Sequence, residues 1–311
     1  MSSAALDIGS NTLRLLIGTL QGGSVGPLLY ERDITRLGGE MGRTGRVGEK
    51  GLALSLEVLK KYRSLMEAHG VARYRAVGTS ALREAANRAE VLRMVKETAG
   101  IDIEVVSGEE EAELTALGVT SSLRTPRSVL IADIGGGSTE MMFCRGPELV
   151  KRVTVPAGVV KMAEGFIRSD PPRPGELAAL DEEAARVARN LARHFKDLLL
   201  PETVFVGTAG TATTLAAMDL ALEEYNREKV HGHEISLERL RRMSTRLASL
   251  PLAERVRVKG LEPGREDLII PGILLTITVM EMLNFRRVVI SDHGLLQGVL
   301  LRLEYASHKL S

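Results

Sequence analysis

The stretch LDIGSNT (residues 6–12) and its counterpart ADIGGGST (residues 132–139) decide the fold. Each follows a short apolar run, carries Asp at the end of that run, and enters a turn of small polar residues before a second apolar run. This pattern predicts two strands joined by a tight turn. Asp7 and Asp133 are 126 residues apart, which is too long for a solenoid repeat. We therefore interpret the chain as a duplicated domain.

Helical and strand patterns alternate around the two hairpins. In the first half we predict a third strand at 25–37, helices at 49–70, 80–99 and 108–118, and strands at 73–78 and 101–106. In the second half we predict strands at 128–133, 139–144, 148–155, 203–206 and 287–291, and helices at about 174–198, 211–222, 236–250, 267–284 and from 295. Both halves are therefore expected to be α/β.

Composition limits the classes of function. A net charge of +1 over 311 residues argues against a generally cationic nucleic-acid or membrane binder. With Cys144 as the single cysteine, no intramolecular disulfide can form, and the first ten residues lack the pattern of a signal peptide, so we expect a cytoplasmic protein. The apolar run 268–283 is too short to span a bilayer and contains Pro271, which favours a buried helix.

The two Gly/Ser turns are candidate phosphate sites, because several backbone N–H groups in one tight turn form an anion-binding nest. An Asp precedes each turn, and a carboxylate beside a bound phosphate suits Mg²⁺, held directly or through water. The alternative is that Asp7 and Asp133 only fix the turns. The residues assigned to phosphate are Gly9, Ser10, Asn11, Thr12, Gly135, Gly136, Gly137, Ser138 and Thr139.

Three successive acids, residues 109–111, follow Ser107 and Gly108. Ser107 and Glu110 fit a capping box, and acids at a helix start are favourable in any case. Glu111 is rotated by roughly 200° from Glu109 at 3.6 residues per turn, so it is available to hold a water molecule.

Two further segments are compatible with phosphate. Arg83 is placed near the start of the predicted helix 80–99, where a cation opposes the helix dipole unless an anion is near; the alternative is a solvated arginine. GTAGT (residues 207–211) joins a strand to a helix, so Gly210 and Thr211 are candidates, although helix packing also favours small residues. His231 and His233 lack the cluster that a metal site needs, and we assign them to a loop.

Six strings in order resemble the Ppx/GppA family of exopolyphosphatases and guanosine pentaphosphate phosphohydrolases, within the actin, Hsp70 and sugar kinase superfamily. The strings are distributed along nearly the whole chain: ALDIGSNT (5–12), VGTSALR (77–83), SGEEEA (107–112), IADIGGGSTE (131–140), GTAGT (207–211) and ISDHG (290–294). The resemblance implies an α/β fold of two RNase H-like (actin-like ATPase) domains around a central cleft. We place them at 1–124 and 125–311, with a C-terminal helix at about 297–311 packing on the first domain.

The resemblance also implies roles for individual residues. Glu111 would be the catalytic carboxylate, although the triple Glu leaves its register open by one. Arg83 would bind phosphate, and Asp133 with Glu140 would hold a divalent metal, Mg²⁺ or Mn²⁺. From its place beside the first turn, Asp7 is added to the metal set.

The predicted reaction is metal-dependent hydrolysis of a terminal phosphoanhydride. It would release orthophosphate from inorganic polyphosphate or convert pppGpp to ppGpp in the stringent response. Two alternatives stay open: a small-molecule kinase of the same superfamily, and a non-catalytic sensor that binds polyphosphate or pppGpp. No nucleic-acid or membrane partner is expected, and a homodimer is expected because dimers are the commonest assembly.

Overall fold

A computed structural model of the chain describes residues 2–21, 24–123 and 128–308. It confirms the predicted α/β class, with two β-sheets. The chain divides into two compact units: unit 1 is Met1–Ser122 with Gly294–Ser311, and unit 2 is Leu123–His293. The predicted boundary between residues 124 and 125 lies outside the described residues. In the described ranges, no helix is both long enough and apolar enough for a membrane crossing.

The first part of unit 1 contains strands and helices in alternation. The strands are β1 (Ser2–Ile8), β2 (Thr12–Gln21), β3 (Ser24–Ile34), β4 (Val71–Gly78) and β5 (Ile103–Val105). The helices are α1 (Met41–Thr44), α2 (Glu49–Ala68), α3 (Ser80–Glu84), α4 (Arg88–Ala99) and α5 (Gly108–Thr120).

Unit 2 follows with a larger set of elements. Its strands are β6 (Ser128–Ile134), β7 (Thr139–Arg145), β8 (Glu148–Val155), β9 (Val204–Thr208), β10 (Glu234–Ser236) and β11 (Arg287–Ile290). Its helices are α6 (Val159–Phe166), α7 (Pro174–Ala192), α8 (Ala209–Asp219), α9 (Arg227–Val230), α10 (Leu237–Ser249), α11 (Leu252–Arg255) and α12 (Ile269–Met282). The last helix, α13 (Leu295–His308), belongs to unit 1.

The sheet of unit 1 has the strand order β3-β2-β1-β4-β5, with β1 antiparallel to β2 and parallel to β4. Side chains of a strand alternate between the two faces of its sheet. Accordingly, Leu6 and Ile8 of β1 pack in the cluster that contains the buried faces of α2 and α4. Ala5 lies in a separate cluster with Leu114 of α5 and Val299 of α13. Helices therefore cover both faces of this sheet.

The sheet of unit 2 repeats that arrangement. Its order is β10-β11-β9-β6-β7-β8, so the series β8-β7-β6-β9-β11 corresponds to β3-β2-β1-β4-β5. The registers of the two hairpins also correspond, because Asp7 is opposite Arg14 and Asp133 is opposite Glu140. The structure thus shows the duplication that the two Asp-Ile-Gly strings indicated.

Two helix contacts in unit 1 depend on glycine. A Cβ on Gly118 of α5 would lie 1.9 Å from the carbonyl oxygen of Gly294, and a Cβ on Gly298 of α13 would lie 1.7 Å from that of Leu114. Real side chains cannot approach so closely, so the backbones of α5 and α13 touch only because these residues are glycine.

Several predicted elements need correction. The helix expected at 80–99 is two helices, α3 and α4, separated at residues 85–87. The helix expected at 174–198 ends at Ala192, and a short 3₁₀ turn follows at Lys196–Leu198. The sequence patterns did not predict α1, α6, α9, β10 or α11. The apolar run 268–283 forms α12, which is mostly buried, as predicted.

Candidate active site

The turn between β1 and β2 is closed by its own backbone and held by a neighbouring loop. The amide of Gly9 donates to the carbonyl of Thr12 at 3.2 Å. The carbonyl of Asn11 accepts from the amides of Thr35 and Arg36, each at 3.0 Å, and a further amide, that of Gly38, donates to Ser10 at 2.7 Å. The turn is therefore a preformed structure. Its predicted phosphate ligands Ser10, Asn11 and Thr12 are all buried.

Asp7, predicted as a metal ligand, has a partner that the sequence did not indicate. Arg14, directly opposite on β2, donates from Nε to Oδ2 of Asp7 at 2.7 Å, and its Nη2 contacts the same oxygen. The other carboxylate oxygen of Asp7, Oδ1, is buried and has no hydrogen-bond partner among the described residues. The guanidinium compensates the charge of Asp7 within the hairpin.

Arg83 lies in the last turn of α3, and this placement corrects our prediction. We expected it near a helix start, opposed by the dipole; at the end of a helix the dipole favours a cation instead. Its Nη1 donates to the carbonyl of Val106 at 3.1 Å and to Oε2 of Glu111 at 2.9 Å. The alternative of a merely solvated arginine is wrong, because the side chain is 22% exposed and paired with an acid.

The three acids at the start of α5 have different environments. Ser107 caps the helix and accepts from the amide of Glu110 at 3.1 Å, as predicted. The Glu110 side chain binds Arg75 at 2.6 Å, so the reciprocal half of the capping box is replaced by an ion pair. Glu109 is exposed and Glu111 is buried. In unit 1 the structure therefore brings together Glu111 and Arg83.

The turn of unit 2 repeats the geometry of the first. The amide of Gly135 donates to the carbonyl of Ser138 at 3.0 Å. The carbonyls of Gly135 and Gly136 accept from the first two amides of α6, each at 2.9 Å. A Cβ on Gly158 would lie 2.5 Å from the carbonyl carbon of Gly136, so this close approach needs glycine. The Thr139 hydroxyl donates to the carbonyl of Ala157 at 2.6 Å.

Asp133 and Glu140 form a cross-strand pair of two carboxylates at this turn. Both residues are buried, with 8% and 2% of their surface exposed. Two like charges directly opposite on neighbouring strands are unfavourable on their own, and burial adds to the cost. The structure therefore brings together the two acids that were predicted to hold a divalent metal.

The GTAGT segment joins β9 to α8 with strained backbone. Ala209 has φ +61°, a left-handed conformation that is unfavourable for a residue with a Cβ. The Thr211 hydroxyl donates to the carbonyl of Ile134 at 2.8 Å and ties α8 to the end of β6. A Cβ on Gly210 would lie 2.2 Å from Nη2 of Arg265, so that guanidinium lies directly against this glycine.

The sequence model of the Ppx/GppA phosphatase family matches residues 16–306. The chain belongs to the Ppx/GppA phosphatase family. Exopolyphosphatase 2 of Mycobacterium tuberculosis is 31% identical over 317 residues, which cover 96% of this chain and 98% of that protein. The solved structure of the Ppx/GppA family member of Aquifex aeolicus is 32% identical with a TM-score of 0.82, covering 99% of this chain and 98% of that one. A solved exopolyphosphatase from Cytophaga hutchinsonii is 27% identical with a TM-score of 0.90, covering 98% of each chain.

The sequence patterns did not indicate two arginines at the candidate site of this Ppx/GppA phosphatase. Arg14 follows the first turn. Its contact with Asp7 depends on the register of the hairpin, which cannot be read from the sequence alone. Arg265 is 7% exposed and ion-paired with Glu262, and it reaches Gly210 from a loop that carries no motif of its own.

The ISDHG string leads to a half-buried polar cluster in unit 2. Asp292 accepts hydrogen bonds from the Tyr225 hydroxyl and from Arg227. The rings of His231 and His293 are 4.8 Å apart, and burial is the main cause that lowers the pKa of His293 to about 4. The carbonyl of His293 accepts from the Thr208 hydroxyl at 2.9 Å, which connects this cluster to the GTAGT segment.

The histidines of the HGH string have protein partners. His233 contacts Asp219 at 2.8 Å, and His231 accepts from the amide of Asp292 at 3.3 Å. Over the described part of the chain, no group of three or more His, Cys, Asp or Glu side chains has the arrangement of a metal site. A metal at Asp133 and Glu140 would therefore need further ligands from water or substrate.

Proposed function

We propose that this Ppx/GppA phosphatase hydrolyses the terminal phosphoanhydride of inorganic polyphosphate and releases orthophosphate. The observation that carries the proposal is the pair in unit 1, where the buried Glu111 carboxylate lies 2.9 Å from the Arg83 guanidinium. A base beside a phosphate-binding cation is what hydrolysis of a phosphoanhydride requires. The name of the 31% identical relative, an exopolyphosphatase, supports polyphosphate as the substrate class.

Phosphoryl transfer asks the protein mainly for positioning and for neutralisation of charge. We assign the amides of Ser10 and Asn11, and in unit 2 those of Gly136 and Gly137, as donors to phosphate oxygens. The guanidinium of Arg83 donates further N–H groups to the terminal phosphate, because Nη1 already holds Val106 and Glu111. These donors are fixed before substrate arrives, so they need little reorganisation during the reaction.

Glu111 is proposed as the general base. It orients a water molecule in line with the bond to be broken and accepts a proton from it. The water oxygen forms a bond to the terminal phosphorus, and the bridging oxygen leaves with the shortened chain. No covalent bond between protein and phosphate is required.

Asp133 and Glu140 fit a divalent cation, because a cross-strand pair of buried carboxylates is stabilised by a positive charge. Mg²⁺ is commonly held by one or two carboxylates with water and substrate phosphates as its other ligands, so this pair suffices on the protein side. When bound, Mg²⁺ or Mn²⁺ supplies Lewis-acid neutralisation of phosphate charge. Since Asp7 already binds Arg14, we place the metal at the second pair; that Asp7 binds it stays a prediction.

The variant Glu111→Gln tests the proposal. It keeps the shape of the side chain and removes the base, so kcat for phosphate release from polyphosphate is expected to fall by about 100-fold or more. Substrate affinity is expected to change little, because the donors assigned to phosphate remain. Phosphate release is measured with purified protein and added Mg²⁺.

Glu110→Gln is the matched control, since Glu110 neighbours Glu111 on the same helix but binds Arg75. We expect its kcat to stay close to that of the wild type. If both variants turn over normally, Glu111 is not the base. If Glu110→Gln is the inactive one, the catalytic register is one residue earlier than proposed.

The range of substrates needs a separate comparison. We propose measuring kcat/KM side by side on short polyphosphate, long polyphosphate and pppGpp, with and without a chelator. Phosphate release that disappears with the chelator and returns with Mg²⁺ supports metal dependence. Release of ADP from ATP only when an acceptor is added would indicate a kinase, and binding without release of phosphate would indicate a sensor.

A further inference from the structure

The C-terminal end of α7 carries exposed cations that the proposed mechanism does not use. Arg189 and Arg193 are both exposed and lie four residues apart, so they are neighbours on one side of the helix. Lys151 of β8, also exposed, is opposite Phe143 in the register of β7 and β8. Phe143 packs in the core that contains the buried face of α7. Since opposite residues share a face of the sheet, Lys151 lies on the α7 side.

His194 shows that Lys151 and Arg193 are neighbours. Its Nε2 accepts a hydrogen bond from Nε of Arg193 at 3.2 Å. Burial is the main cause that lowers the pKa of His194, and the positive charges of Arg193 and Lys151 lower it further. The side-chain charges that act on this ring are therefore positive. We call Lys151, Arg189, Arg193 and His194 the α7 patch.

The surface arginines of α7 differ in whether an acid neutralises them. Arg186, about one turn before the patch, binds Glu183 through two hydrogen bonds of 2.7 and 2.6 Å. Over residues 2–21, 24–123 and 128–308, no carboxylate forms an ion pair with Lys151, Arg189 or Arg193. The patch therefore differs from the neighbouring turn of the same helix in its uncompensated charge.

The dipole of α7 explains only part of this arrangement. A helix C-terminus favours a cation within its last turn, which accounts for Arg193. Lys151 comes from a strand, and its charge close to that of Arg193 is repulsive unless an anion is bound nearby. Lys196 and Asp197, in the following 3₁₀ turn, add one charge of each sign. The patch thus keeps a local excess of positive charge in a chain whose net charge is +1.

A chain of phosphates suits this patch. Cations spread over a helix and a strand can bind successive phosphates of one polyanion, and each contact releases counterions from it. Lys151 is level with Phe143, which is four residues from Thr139 at the second turn, or about 13 Å along the strand. A long polyphosphate can reach from the turn to the patch, whereas tripolyphosphate is too short to bind at both.

We infer that the α7 patch binds inorganic polyphosphate outside the catalytic centre and holds a long chain on unit 2 while its end is hydrolysed. The inference rests on the proposed function and adds to it a preference for long chains. A second contact on the same substrate molecule raises the effective concentration of its end at the catalytic centre. Affinity for long polyphosphate is therefore raised, and the rate of bond cleavage is unchanged.

The test removes the charges together in a patch variant with Lys151→Gln, Arg189→Gln and Arg193→Gln. A second variant, Arg189→Lys with Arg193→Lys, keeps the charges, and the single variant Lys151→Gln leaves α7 intact. The matched control removes three exposed arginines of unit 2 that are each paired with an acid: Arg186→Gln, Arg241→Gln and Arg242→Gln. Phosphate release from tripolyphosphate and from long polyphosphate is measured at saturating Mg²⁺ in low and high salt, with thermal unfolding of each protein.

At low salt we expect the patch variant to raise KM for long polyphosphate by about tenfold, with kcat within about twofold. Lys151→Gln is expected to raise this KM by about threefold. For tripolyphosphate, both are expected to have the KM of the wild type. High salt is expected to reduce the difference, because exposed charges are screened. The lysine variant and the control are expected to behave as the wild type on both substrates.

A wild-type KM of the patch variant on long polyphosphate, or an equal rise of KM on both substrates, would overturn the inference and leave the proposed function intact. If the wild type releases phosphate from neither substrate, the proposed function fails instead. Calorimetric titration with long polyphosphate then decides for the patch: weaker binding by the patch variant than by the control supports it, and equal binding removes it.

Discussion

The hairpins of the two units share one geometry and differ in one cross-strand pair. In both, an Asp is the next-to-last residue of the first strand, and the amide two residues later bonds to a carbonyl across the turn, Gly9 to Thr12 and Gly135 to Ser138. Opposite the Asp stands Arg14 in unit 1 and Glu140 in unit 2. The first hairpin neutralises its buried carboxylate with its own arginine, whereas the second places two carboxylates together.

The two copies of the duplicated hairpin therefore differ in the charge opposite the Asp and not in the backbone geometry of the turn. A carboxylate already paired with a guanidinium gains little from a metal ion, while a carboxylate pair gains much. This single cross-strand position is the difference on which the proposed metal assignment rests, because the turns and their backbone bonds are alike.

The largest expected effect in this comparison is that of Glu140→Gln. Removing one acid of the pair weakens the proposed metal site, so kcat/KM for phosphate release is expected to fall by about 100-fold at fixed Mg²⁺. Thermal unfolding is measured alongside to check that the variant is folded. Phosphate release is measured across a Mg²⁺ titration.

Glu148→Gln, an exposed acid in the neighbouring strand β8, is the control for charge and is expected to behave as the wild type. Wild-type activity of Glu140→Gln at every Mg²⁺ concentration would show that unit 2 does not use this pair for a metal.

Arg14→Met is expected to affect stability most. It leaves the Asp7 side chain, which is 4% exposed, without its guanidinium. Breaking a buried pair by removing one partner costs about 3–5 kcal/mol. Since the Arg14 side chain is 20% exposed, we expect the lower end of that range as a loss in the free energy of unfolding measured with urea. The double variant Arg14→Met with Asp7→Asn is expected to recover part of that loss. Equal stability of Arg14→Met and the double variant would mean that the unpaired Asp7 carboxylate is not the cause of the loss.

The smallest expected effect is the difference in stability between glycine variants of the two turns. A Cβ on Gly9 would lie 2.9 Å from the carbonyl oxygen of Thr12, and a Cβ on Gly135 would lie 3.2 Å from that of Ser138. Both Gly→Ala variants are expected to lower the free energy of unfolding by about 1 kcal/mol. The larger loss is expected at Gly9, because the shorter contact there requires a larger shift of the backbone.

Gly165 in α6 is the control for these two variants, since a Cβ there meets no atom within 4 Å. Gly165→Ala is expected to raise helix stability by about 0.5–1 kcal/mol. A larger loss at Gly135 than at Gly9 would contradict the geometric comparison.

The sequence predicted much of this architecture because its strongest signals are local. The Asp-Ile-Gly strings fixed both hairpins, and Ser107 predicted the start of α5 through a capping bond between residues three apart. Helical periodicity also separated Glu111 from the exposed Glu109, whereas the ion pair of Glu110 with Arg75 was not predicted.

What the sequence did not predict depends on contacts between distant residues. The break between α3 and α4 has no Pro or Gly; the amide of Ala86 bonds to Gly45, and the Asn87 side chain bonds to both backbone groups of Val47. Arg83 was therefore assigned to the wrong end of its helix. Helix α6 begins on the carbonyls of the second turn, a contact that no periodicity reveals.

The glycine contact between α5 and α13 has a consequence for biosynthesis. Unit 1 is discontinuous, and the ribosome releases the whole of unit 2 before it releases α13. Helix α5, whose first turn carries Glu111, therefore lacks its neighbour α13 until unit 2 has been synthesised, whereas unit 2 has all of its strands earlier. During synthesis, both residues of the carboxylate pair in unit 2 are present before the helix that packs against α5 and its Glu111, the acid proposed for hydrolysis.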